Sequence, residues 1–93
     1  MEIQQTDSDK KGEFYYEVDG KKLGLMTYSH AGSDKIIIDH TEVDASLKGQ
    51  GIGYKLVEAS VAYARANNLK IMPLCPFANA VFKKKSEYND VRF

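Results

Sequence analysis

With 93 residues, 43% of them hydrophobic and 28% charged, the chain has room for one domain and one core, and its composition is that of an ordinary globule rather than a disordered segment. Lys plus Arg number 13 and Asp plus Glu number 13, so the basic surplus that nucleic-acid binding draws on is missing. A single cysteine excludes an internal disulfide, and no apolar run is long enough to span a membrane. Two His and one Cys, widely separated, make a structural zinc site improbable. The opening MEIQQTDSDKKGE lacks the apolar core of a signal peptide, so the expected setting is a reducing cytoplasm, with neither a membrane nor a nucleic acid as partner.

In chain order, residues 1–5 read as a short edge strand and residues 6–12 as a polar turn. Residues 13–18 alternate, with Phe14, Tyr16 and Val18 on one side, as in a half-buried strand. Asp19-Gly20 is a favoured pair for a tight hairpin turn. The partner strand, residues 22–30, carries Leu23 and Leu25 on one face and Met26 and Tyr28 on the other. After a turn at 31–34 comes a third strand, 35–43. Its apolar residues fall on both faces, Ile36 and Ile38 against Ile37 and Val43, which is the pattern of a strand covered on both sides.

Residues 51–67 switch to a helical period. Ile52, Leu56, Ala59 and Tyr63 mark the stripe, with Val57, Val61 and Ala64 as its shoulder. Asn67-Asn68 is a fitting stop, since Asn tolerates left-handed geometry. Residues 70–74 form a short strand, reached by a right-handed crossover and therefore parallel to the third strand. Pro76 suits the first turn of a second helix, which carries Phe77, Val81 and Phe82 and ends in Lys83-Lys84-Lys85. Tyr88, Val91 and Phe93 of the tail are candidates to pack against the sheet. The fold class is α/β (α+β): an antiparallel meander, one parallel β-α-β crossover and two helices, all in a single domain, residues 1–93.

Glycines at 49, 51 and 53 lie between the third strand and the first helix. Small residues there let a ligand approach the backbone, and the unpaired N–H groups of a helix start favour an anion. A Walker loop does not fit, because no Ser or Thr follows Gly53-Tyr54-Lys55. The dinucleotide fingerprint fails too, since its spacing differs and the next strand offers no acid. The segment Lys48-Gly49-Gln50-Gly51-Ile52-Gly53 instead resembles the Arg/Gln-x-x-Gly-x-Gly/Ala loop of the GNAT acetyltransferase superfamily. With Asp39-His40-Thr41 before the loop and Cys75-Pro76-Phe77 after the last strand, nearly the whole chain is similar to a minimal, single-domain GNAT-like subfamily. Two departures stand out. Lys48 keeps the charge of the usual Arg without its bidentate pairing, and residues 6–12 are too few for the two helices that full-length members carry between their first strands.

The resemblance implies acetyl-coenzyme A as cofactor. Its pantetheine arm would run along Thr41, Glu42 and Val43, where the two parallel strands splay apart. Its diphosphate would meet the loop at Gly49 and the N–H groups of Gln50, Gly51, Ile52, Gly53 and Tyr54, with charge from Lys48 and Lys55. His40 and Cys75 end the parallel strands at one edge of the sheet and are the subfamily's functional pair. On that basis Cys75 would accept the acetyl group and His40 would act as general base. Direct transfer from thioester to amine is the open alternative. Strand alternation turns Asp39 away from His40, and Glu42 becomes a second candidate base. The expected activity is an N-acetyltransferase acting on an amine whose identity the sequence does not give. A non-catalytic acyl-coenzyme A-binding module is the other reading, and both monomer and homodimer stay open.

Overall fold

A computed structural model describes residues 2–93; Met1, expected to begin the first strand, lies outside the described residues. The elements are β1 (Gln4–Asp7), β2 (Lys11–Val18), β3 (Lys21–His30), β4 (Lys35–Val43), α1 (Ile52–Asn67), β5 (Lys70–Pro73) and α2 (Pro76–Lys84). Single turns of 3-10 helix lie at Ala45–Leu47 and Ser86–Tyr88. The five strands form one sheet in the order β1-β2-β3-β4-β5. All neighbours are antiparallel except β4 and β5, which run parallel across the α1 crossover as expected. Asp19 and Gly20 both take positive φ, as a tight hairpin turn demands.

The first strand sits later than the sequence indicates, and the turn after it shrinks to residues 8–10. A side-chain network holds it there. Tyr28, on β3, donates its hydroxyl to Asp7 on β1 at 2.6 Å, and His30 Nε2 lies 2.8 Å from the same carboxylate. Tyr28 reaches β1 by crossing Gly12 of β2, where any Cβ would collide with the Tyr28 hydroxyl. Thr6 and Asp7 are thereby drawn into pairing with Glu13 and Gly12.

One core runs from Phe14, Met26 and Tyr28 through Ile36, Ile38 and Ile71 to the helices. On α1 the shoulder proves to be the centre: Val57, Val61 and Ala64 are buried with Ile52 and Leu56, while Ala59 and Tyr63 lie at the edge. Ser60 is buried as well, its hydroxyl donating to the Val57 carbonyl. The helix stops at Asn68, which is left-handed. α2 packs beside α1 and against β4 and β5 through Ala78, Val81 and Phe82. Ile37 remains half-buried, so β4 is not covered on both sides. In the tail, Tyr88 and Val91 are buried, whereas Phe93 stays exposed beneath the Lys35 ammonium.

Candidate active site

The site begins where β4 and β5 part. Their pairing runs from Lys35↔Lys70 to Ile38↔Pro73 and ends there. The Leu74 and Cys75 N–H groups both turn back to the Ile38 carbonyl, each at 3.1 Å, and Pro76 starts α2. Beyond Ile38, β4 continues to Val43 bonded to β3 alone, so its other edge faces a gap.

β4 carries a bulge at this point. Tyr28 pairs with Ile38 and Thr27 with His40, which leaves Asp39 as the extra residue, its carboxylate held by the hydroxyls of Thr27 and Ser29. An extra residue shifts the alternation of everything after it. Thr41 and Val43, opposite Met26 and Gly24, therefore face the core side, and His40 and Glu42 face the outer side. Asp39 shares that outer face with His40, contrary to the plain alternation read from the sequence.

The bulge separates the two residues expected to act together. His40 is 60% exposed and lies 3.3 Å from the Glu42 carboxylate through Nε2. Cys75 is 5% exposed, and its thiol donates to the Thr41 hydroxyl at 3.3 Å. The partner brought to Cys75 is thus Thr41, a residue the sequence offered only for its backbone. A carboxylate can only accept, so this contact suits the His40 tautomer that carries its hydrogen on Nε2 and leaves Nδ1 open.

After β4, the Asp44 carboxylate accepts the Ser46 N–H at 2.9 Å and opens a single 3-10 turn. Ser46, through its side chain first and then through this N–H, holds the Asp44 carboxyl below its ordinary value. Gly49 and Gly51 then take φ of 83° and 73°, left-handed values that a side chain would strain. Gly51 is also the N-cap of α1, with no side chain to satisfy the helix and no acidic residue in its first turn. The first helix bond runs from the Lys55 N–H to the Gly51 carbonyl. Among the described residues, Ile52, Gly53 and Tyr54 thus keep backbone donors with no backbone acceptor. The Gln50 N–H differs from its expected role, since it is engaged by the Leu47 carbonyl at 3.1 Å.

Gly53 serves another purpose. It is helical, and a Cβ on it would come within 2.5 Å of the Phe77 ring. That ring lies over the helix start and meets Tyr54 edge-on, with centroids 5.8 Å apart. Phe77, at the start of the second helix, is thus a wall of the site.

These parts enclose a cleft of about 610 Å³ lined by residues 41–45, 47–49, 51–54 and 77. Every residue expected to hold the cofactor is on that wall except Gln50 and Lys55. His40 and Cys75 stand outside it, on opposite sides of β4. The bare edge of β4, the donors at the start of α1 and the Lys48 charge suit a ligand with an amide-bearing arm and a phosphate group. Among the described residues no cluster of three His, Cys, Asp or Glu could hold a metal ion, and no helix is long and apolar enough to cross a membrane.

Comparison with known proteins agrees with this geometry. Residues 13–91 match the family model of the GCN5-related N-acetyl-transferases. The fold superposes on the solution structure of a GCN5-like candidate N-acetyltransferase from Staphylococcus aureus with a TM-score of 0.78 at 40% identity, covering 99% of this chain and 87% of that one. A ribosomal-protein-alanine N-acetyltransferase from Brucella melitensis matches with a TM-score of 0.69 at 17% identity over 83% of this chain and 62% of that one. A GNAT acetyltransferase from Elizabethkingia anophelis, solved with acetyl-CoA bound, matches at 0.59 and 15% identity over 69% of this chain and 42% of its own. Those two likenesses are of fold. No curated protein matches.

Proposed function

Because the chain belongs to the GCN5-related N-acetyl-transferase family, we propose that it transfers an acetyl group from acetyl-coenzyme A directly to an amine, with His40 as the base. The observation that carries this reading is the bulge at Asp39, which turns His40 and Glu42 to one face of β4 and Thr41 to the other. The cofactor's backbone groups and phosphates would be held by residues 41–43, Lys48 and the N–H groups of Ile52, Gly53 and Tyr54. When bound, it supplies an acyl group already activated as a thioester. The amine's new C–N bond would replace the thioester C–S bond, and the proton the amine loses, taken by His40 beside Glu42, would end on the released coenzyme A thiol. Cys75 is buried and bonded to Thr41, without an imidazole to draw off its proton. Its role in this reading is to set the Thr41 hydroxyl at the cleft wall.

Intact-protein mass spectrometry after mixing with acetyl-coenzyme A, alongside an assay on a panel of amines, tests the proposal. The expected result is no acetyl adduct on Cys75 and amine acetylation that survives Cys75→Ala. An adduct that vanishes in that variant, together with lost turnover, would replace direct transfer by a covalent route. A second reading, a non-catalytic acyl-coenzyme A-binding module, draws support from the turn at residues 8–10, which has no room for helices that could wall an acceptor pocket. Cofactor binding with no turnover on any amine would favour it.

A further inference from the structure

The run Lys83-Lys84-Lys85 is not uniform in the fold. Lys83 and Lys84 are exposed in the last turn of α2, while Lys85 is half-buried just after it. Its ammonium points back toward the cleft and lies 6.0 Å from the ring centre of Tyr54. Tyr54 is 41% exposed and Phe77 is 36% exposed, an unusual pair of open aromatic rings at the mouth of one cleft. Among the described residues, no carboxylate lies within ion-pair distance of Lys85. An ammonium that rests on an aromatic ring, with no counter-ion, at the rim of a phosphate-binding cleft has its charge available to a further anion.

We infer that Lys85, with Tyr54 and Phe77, forms the nucleotide end of the cleft and recognises the 3′-phosphate that distinguishes coenzyme A from dephospho-coenzyme A. This rests on the cofactor reading above and adds a specificity to it. The N–H groups at the start of α1 serve the diphosphate, which both ligands share. The rings offer an apolar lip to the adenosine, also shared. The 3′-phosphate alone is discriminated, so its recognition is read as a ratio of affinities.

The test is titration of the native chain, Lys85→Gln, Lys83→Gln and Lys84→Gln with coenzyme A and with dephospho-coenzyme A at low salt, each variant first checked for an unchanged melting temperature. The native chain is expected to prefer coenzyme A by about fivefold, as befits one charge-assisted phosphate contact at a partly exposed site. Lys85→Gln should bring that ratio close to one while leaving the dephospho-coenzyme A affinity in place. The other two variants should keep the native ratio, and raising the salt should narrow it in the native chain. Equal affinities in the native chain, or a ratio that survives Lys85→Gln, overturn the inference while the cofactor reading stands. Failure of both ligands to bind overturns the two together.

Discussion

Thr41 receives the hydrogen bond of the buried Cys75 thiol at 3.3 Å, while its neighbour His40 turns to the opposite face of β4. One unpaired residue, Asp39, makes the difference. The two candidate groups therefore make different predictions. His40→Ala should lower kcat/KM by about 10², the usual contribution of a positioned base. Cys75→Ala should lower it less than tenfold and reduce stability by only about 1 kcal/mol, the cost of a small buried side chain with one weak hydrogen bond. Steady-state assays on the best amine, with thermal melts of both variants, decide it. Equal losses of turnover would restore the pair.

Within the glycine loop, the residues should respond differently to alanine. At Gly51 nothing lies within 4 Å of a new Cβ, but φ is 73°, so Gly51→Ala carries backbone strain of about 1 kcal/mol that no other substitution relieves. At Gly53 the backbone is helical and the obstacle is the Phe77 ring. Gly53→Ala should cost about 1–3 kcal/mol by overpacking, and Phe77→Ala in the same chain should recover most of that. A double-mutant cycle on melting temperature reads the coupling. Additive losses at Gly53 and Phe77 would disprove the steric account.

The strands, the crossover and the glycine loop were legible because each has a local cause. Alternation of Phe14 and Tyr16 marks a strand, Asp19-Gly20 marks a hairpin, and Asn68 can take the left-handed stop. What could not be read depends on register. The bulge at Asp39 has no local signature, since Asp39-His40-Thr41 is equally compatible with regular alternation, and the extra residue becomes visible only when β3 is laid beside it. The same holds for β1, whose position is set by Tyr28, 21 residues away in the chain.

The Asp7–Tyr28 contact couples the edge strand to pH. Burial alone would raise the Asp7 carboxyl, but hydrogen bonds from Tyr28 and His30 and the His30 charge outweigh it, so it titrates below its ordinary 3.8. A carboxyl lowered by folding adds stability that is full above its unfolded value and is lost as pH falls through the folded one. Tyr28 behaves oppositely. Burial first, then its bond to Asp7, holds the phenol well above its ordinary 10.0. Above that value the unfolded chain gives up the proton and the folded chain keeps it, so stability falls as pH rises. The melting temperature should therefore stay level between about pH 5 and pH 9 and decline on both sides. Asp7→Asn should make the acid limb shallower, leaving the part carried by Asp44 and Asp90. Tyr28→Phe should flatten the alkaline limb and, by removing the bonds to Asp7 and Gln5, cost about 1–2 kcal/mol at neutral pH, a fall of roughly 4–15 °C in a domain of this size. Melts across this range in the three proteins test the coupling, and a Tyr28→Phe profile parallel to the native one throughout would refute it.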